Sequence, residues 1–195
     1  MSPKKKLILK AAAALFAEKG FRDTSIAELS KMTGAAEGTI FYHFKTKEDI
    51  FISILKNVRE GIVREFNQYV HGREFENGMA MLEGVIGFYL YLAGQMEDWF
   101  MLLYRHYPYQ LAKVNPVCRE HLEAIYNCLA NLFEDAIRQG QADGSIGNVS
   151  PRKTALIIFS MVNGLVWFKV YELYDAGTLF DELIISCRKI LCNDS

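Results

Sequence analysis

Three observations predict an all-helical fold in two parts. Apolar residues recur every three or four positions along the chain, and no stretch keeps the strict alternation of a half-buried strand. Ser-x-x-Glu, Asn-Pro and Ser-Pro start signals, paired with glycine stops, divide that pattern into helix-sized segments. Charge is uneven: the first fifty residues carry nine Lys and Arg against six Asp and Glu, although the 195-residue chain has a formal net charge of -1. A small basic front part suited to a polyanion, followed by a larger acidic part, fits all three.

The first helix is read from Leu7, Ala11 and Leu15, with Ile8, Ala12 and Phe16 beside them, and Gly20 stops it. Thr24 or Ser25 caps the second. Ser25-x-x-Glu28 has capping-box spacing, and Ile26, Leu29 and Met32 form its inward side until Gly34. In the third helix, Ile40 and Phe44 are the buried pair. At roughly 100° per residue, Gly38 and Tyr42 then point away from the core, Thr39 and His43 lie on one flank and Phe41 on the other. Two short helices joined by a glycine turn, with a third packed behind, form a helix-turn-helix whose second member fits the DNA major groove. The outward glycine leaves room for a groove wall. Thr39, Tyr42 and His43 supply donors for phosphate oxygens, and the Lys47 stem can reach the backbone from the start of the next helix.

That next helix spans 47–70 on the stripe Phe51, Leu55, Val58, Ile62 and Phe66, and it bridges two domains: 1–50, the helix-turn-helix, and 51–195. Gly72 to Gly78 is turn-rich. From Met79 to Ala93 the pattern is apolar on nearly every face and continues through Trp99 and Tyr104 until Pro108 breaks it. Asn115-Pro116 opens a helix to about Gln139, Ser150-Pro151 opens one through Trp167 and Tyr171, and a last helix begins at Thr178. The uncharged run Ala155 to Phe168 is too short for a bilayer, so it reads as a buried helix without a membrane partner. Cys118, Cys128, Cys187 and Cys192 sit in apolar helical stretches with no Cys-x-x-Cys or zinc spacing, which predicts reduced buried thiols, no metal and no cofactor. No signal peptide pattern precedes the first helix, which points to the cytoplasm. His43, His71, His106 and His121 fall in no Ser/His/Asp order and beside no phosphate-cradling glycine loop, so an enzyme is not expected.

Gly20-Phe21-Arg22-Asp23-Thr24-Ser25-Ile26, then Gly34 to Phe44, then Lys47-Glu48, resembles the tetracycline-repressor (TetR) family of bacterial transcription regulators. The resemblance covers roughly residues 7 to 55. It implies that Thr24, Ser25, Tyr42, His43 and Lys47 grip phosphates and that Ala36, Glu37, Gly38 and Thr39 lie nearest the base edges of a double-stranded operator. Three residues depart from the pattern. Phe41 replaces a common tyrosine and offers an apolar contact to a thymine methyl. Ala36 replaces a capping serine. Glu37 either accepts from a cytosine amino group, pairs with a lysine or is simply solvated.

A regulator of this kind needs a homodimer, because two recognition helices must reach half-sites about 34–36 Å apart or a multiple of that. As in the family, the last two helices are expected to supply the interface, through Phe159, Val162, Val166, Leu183, Ile184 and Cys187. An apolar cavity for a small, largely apolar or aromatic effector is expected to be lined by Phe88, Tyr91, Trp99, Tyr104 and Trp167, with Arg105, His121, Asn127 and Asn163 as its polar groups. The leading function is a ligand-responsive repressor. The alternative, a sensor or interaction module that has kept the fold and lost DNA binding, draws on Ala36, Glu37 and Phe41.

Overall fold

The computed structural model describes residues 1–175 and 177–192. Among these the chain forms helices α1 (Pro3–Glu18), α2 (Ile26–Thr33), α3 (Glu37–His43), α4 (Lys47–His71), α5 (Gly78–Gln95), α6 (Glu97–Tyr104), α7 (His106–Ala112), α8 (Pro116–Asp143), α9 (Pro151–Val170) and α10 (Phe180–Leu191), with no strand among the described residues. They belong to two compact units, and each unit is built from two separate segments of chain. This differs from the contiguous division at residue 50.

The first unit combines Met1–Ile62 with Met96–Ala124. Ile8, Phe16, Leu29, Ile40, Phe51, Leu55 and Phe100 are among its largest buried side chains. Phe16, Phe21 and Phe51 form a ring cluster with centroids 5.3–5.9 Å apart, closed by Tyr107 of α7, which stacks on Phe21 at 3.8 Å. The local signals operate as read. Ser25 caps α2 in a complete capping box, and Gly34 ends it at φ 65°, a left-handed position that a side chain would strain. Met32, expected to face inward, is exposed because the eight-residue α2 buries fully only Leu29.

The helix expected to run from Met79 into Tyr104 breaks at Met96 (φ -119°, ψ 44°). Pro108, expected to end the pattern, lies in the first turn of α7, where its missing N–H breaks no intrahelical bond. The interruption therefore falls earlier, at Met96 and Arg105.

The second unit combines Val63–Gln95 with the chain from Ile125 onward. Its core holds Phe66, Leu82, Tyr89, Phe133, Val162, Val166 and Leu183. Phe159 lies 6.0–6.1 Å from the rings of Tyr89, Tyr126 and Phe133. At 20 residues, α9 is long and apolar enough by length and composition to cross a membrane, more than the shorter uncharged run implied. Its Ile158, Val162 and Val166 are nevertheless fully buried within this unit, as in the core helix of a folded domain. All four cysteines are free, and Cys118 and Cys187 are buried as expected. Cys128 is half-buried and Cys192, at the end of α10, is exposed.

Candidate nucleic-acid interface

The interface is assembled on α2, the Gly34 turn and α3. Ile40 and Phe44 anchor α3 in the core, and the opposite side is open: Tyr42 is 85% exposed, and Phe41, Glu37, Gly38 and Ala36 are exposed around it. Thr39 and His43 are half-buried on one flank, and the Tyr42 and His43 rings meet edge to face at 5.3 Å. Ala36 caps α3 with no side-chain hydrogen bond, as its methyl dictates. The preceding turn is fixed from the other side by Thr33, whose hydroxyl donates to the Leu29 carbonyl at 2.7 Å and accepts from the Ala35 N–H at 3.3 Å.

Two residues expected to grip phosphates are placed differently. Thr24 is 2% exposed, and its hydroxyl donates to the carbonyls of Gly20 (2.9 Å) and Leu15 (3.3 Å). Its side chain fastens the end of α1 and is not presented to solvent. The Lys47 ammonium points back into the α1–α2 loop and donates to the carbonyls of Phe21 (2.7 Å), Thr24 (2.8 Å) and Arg22 (3.4 Å), while sitting 4.4 Å from the Phe21 ring centroid. Partial burial holds its pKa below the usual lysine value, with Asp23 acting in the opposite direction. The stem of Lys47 reaches backbone as predicted, but it is the protein's own backbone.

Ser25 stays exposed, with its hydroxyl in the capping box: it accepts from the Glu28 N–H at 3.1 Å, and the Glu28 carboxylate accepts from the Ser25 N–H at 2.8 Å. Lys19 donates to the same carboxylate at 2.7 Å, and these donors hold Glu28 down to about 2, the Lys19 hydrogen bond contributing most.

Sequence reasoning missed what supports this platform from behind. Arg105, read as a pocket residue, uses its guanidinium to close the C-terminal end of α1, donating to the carbonyls of Ala17 (2.9 Å from Nε) and Glu18 (2.6 Å). Those are carbonyls that a helix end leaves unpaired, and a cation is favoured there. Tyr107 stacks on Phe21 and donates to Glu48 at 3.1 Å, and burial, reinforced by Glu48, raises its pKa. Both partners lie more than fifty residues away in sequence, so no local pattern signals them.

Residues 8–54, the stretch that carries this platform, match the model of the bacterial regulatory proteins of the tetR family. Across nearly the whole length, 94% of this chain and 95% of the relative, the chain is 25% identical to the fatty acid metabolism regulator protein of Bacillus subtilis (strain 168). Residues 8–54 are a DNA-binding domain of the tetR family. Its front part is 42% identical over 53 residues, 27% of this chain and 28% of the relative, to the HTH-type transcriptional regulator QacR of Staphylococcus aureus (strain Mu50 / ATCC 700699). Its fold is that of the transcriptional regulator FadR from Bacillus subtilis in complex with stearoyl-CoA, with a TM-score of 0.74, 22% identity and coverage of 93% and 96% of the two chains. With this domain and regulators as its near-full-length relatives, the protein is a DNA-binding transcription regulator and not an enzyme.

The regulatory residues expected for a TetR protein divide between the two units. In the first, Trp99 lays its ring over Gly61, where a Cβ has no room. Tyr104 is half-buried, and His121 is buried with its Nδ1 lacking a partner. In the second, Phe88 stacks on Tyr69 at 4.1 Å, and Asn163 accepts from the Tyr89 hydroxyl at 2.8 Å. Three of the expected lining residues correct the prediction: Tyr91, Asn127 and Trp167 are exposed, and Asn127 accepts from Arg152 at 3.3 Å.

The expected dimer residues are corrected as well. Phe159, Val162, Val166, Leu183 and Cys187 are buried and Ile184 is half-buried, because they form the core of their own unit. The apolar residues that α9 leaves exposed are Leu156, Ile157 and Trp167, with Tyr171 just past its end, and on α10 they are Ile185 and Ile190.

Proposed function

We propose that this protein is a TetR-family repressor that binds a pseudo-palindromic operator as a homodimer and is released by a long-chain acyl thioester of coenzyme A. Gly38 carries the DNA reading. It lies in the first turn of α3 with an ordinary helical φ, and a Cβ added there meets nothing within 4 Å. The fold itself has no need of glycine at 38, and alanine would favour the helix by about 0.5–1 kcal/mol. The missing side chain is explained by a partner that approaches from outside, and the exposed Tyr42 beside it supplies that partner with a phenolic donor.

The effector class rests on the full-length relative, a fatty acid metabolism regulator, and on the related fold that holds stearoyl-CoA. A long acyl chain also suits a family whose effector cavities are apolar. For the homodimer, the exposed side of α9 offers Leu156, Ile157, Ser160, Gly164 and Trp167 at helical spacing, with Tyr171 at its C-cap. Ser160 and Gly164 lie at its centre, and nothing stands within 4 Å of a Cβ built on Gly164, so a second copy can approach closely.

Gly38→Ala tests the reading. It is expected to leave the melting temperature unchanged or raised while weakening operator binding at least tenfold, followed by fluorescence anisotropy on duplexes selected from a random pool. Titration of the wild-type complex with stearoyl-CoA is expected to release the DNA, and palmitate without coenzyme A serves as the control. Unchanged operator affinity in Gly38→Ala would remove the main support for the DNA face of α3. DNA affinity unmoved by acyl-CoA would remove the effector.

A further inference from the structure

Positive charge is densest at the start of α1, in a place the recognition platform does not use. Lys4, Lys5 and Lys6 are consecutive in its first turn, Lys10 follows one turn after Lys6, and that turn holds no acid. A helix N-terminus already carries roughly half a positive charge from its unpaired N–H groups, so three ammonium groups there have the unfavourable sign for an isolated protein. The helix starts here regardless. Pro3 occupies its first turn, and the Ser2 hydroxyl accepts from the Lys5 N–H at 3.3 Å. Lys4, Lys6 and Lys10 are exposed, and none of them pairs with a carboxylate among the described residues.

Lys5 fixes where this cluster lies. Its ammonium sits 4.9 Å from the centroid of the Phe44 ring, and Phe44 is the residue that closes the recognition helix α3. The next residue, Lys45, is exposed. The acids that follow are held by neutral donors and keep their charge: Asp49 accepts from the Thr46 N–H at 2.9 Å and Glu48 from the Tyr107 hydroxyl at 3.1 Å. The first turn of α1 is thus held against the C-terminal end of α3 through Lys5, and Lys4, Lys6 and Lys45 are exposed on either side of that contact.

We propose that Lys4, Lys6 and Lys10 form a second grip on the DNA backbone, holding phosphates outside the base pairs that α3 reads. A duplex supplies the anion whose absence leaves the first turn of α1 with like charges only. The grip carries no sequence information and acts on specific and non-specific DNA alike. It rests on the reading of the protein as a DNA binder.

The test compares the full-length protein with the triple variant Lys4→Gln/Lys6→Gln/Lys10→Gln on a mixed-sequence DNA duplex across a salt series, with Tyr42→Ala as a second variant. Three lost phosphate contacts in each protomer are expected to lower the slope of log K against log salt by about 2.7 per bound protomer, about 5.4 for the homodimer. Between about 50 and 200 mM salt the wild type should therefore lose about 40-fold more affinity per bound protomer than the triple variant. Its melting temperature is expected to be unchanged or raised, since like charges leave the helix N-terminus. The matching Lys→Arg triple variant should keep the wild-type slope. An unchanged slope in the Gln variant, while Tyr42→Ala weakens binding, overturns the proposal and leaves the DNA-binding reading intact. A loss shared equally by the Arg variant also overturns it, because charge would then not be the cause. Absence of salt-dependent binding by the wild type overturns the reading beneath it.

Discussion

Lys47→Met separates two roles that the sequence does not distinguish, phosphate anchor and internal lock. Methionine preserves most of the stem and removes only the ammonium. That group makes two close donations, at 2.7 and 2.8 Å, a longer one at 3.4 Å, and a cation–π contact at 4.4 Å. Charge-assisted hydrogen bonds contribute about 1.5–3 kcal/mol each where desolvated. Lys47 is only half-buried, and solvent screens its contacts. About 1–2 kcal/mol for the whole set is therefore the working figure. For a chain of this size that corresponds to a fall of about 2–8 °C in melting temperature, read by circular dichroism. Operator affinity should fall with it, because the Phe21–Thr24 loop seats α2. The slope of affinity against salt should stay that of the wild type. A phosphate anchor behaves in the opposite way: it leaves the melting temperature unchanged and lowers the slope by about 0.9 per bound protomer. That second result would refute the lock.

Three further outcomes follow from the same geometry. His121 is buried, and its imidazole pKa is lowered by burial first and then by the positive charge of Arg59. The native state thus keeps it neutral while the unfolded chain takes up a proton near the ordinary value of about 6.5. Stability is expected to be complete above that pH and to decline as pH falls through it, and His121→Leu should flatten this segment of a urea-midpoint series. Ile157→Glu, on the open side of α9, is expected to give a folded monomer by analytical ultracentrifugation and to abolish operator binding, whereas a persistent dimer would move the interface elsewhere. Arg105→Gln removes the cation that closes α1 and is expected to lower operator affinity with no change in salt slope, since Arg105 donates to Ala17 and Glu18.

What was legible in the sequence is what neighbouring residues decide among themselves. The Ser25–Glu28 box, the left-handed Gly34, the buried pair Ile40 and Phe44, and the uncapped start of α3 all follow from interactions within four residues. What was not legible is settled between segments distant in sequence. Lys47 meets Thr24 across 23 residues, and Arg105 meets Ala17 across 88, so residue type and spacing gave no sign that their charges were already engaged. The dimer residues failed for a different reason. α9 is apolar on both sides, and periodicity cannot tell which side meets its own core and which is left exposed. The early break at Met96 was hidden because the apolar pattern continues unbroken across it.

The composition of the first unit bears on how this reader could be moved between proteins. A fragment ending at residue 50 would contain every side chain proposed to face DNA, yet it would lack Arg105 at the end of α1 and Tyr107 against Phe21. Transplanted alone, it would carry two unpaired carbonyls and an uncovered ring into its new host. The portable piece is discontinuous: Met1–Ile62 together with Met96–Ala124. A chimera that exchanges both segments should read DNA as the parent does, and one that exchanges only the first should fold poorly, however well its recognition helix is preserved.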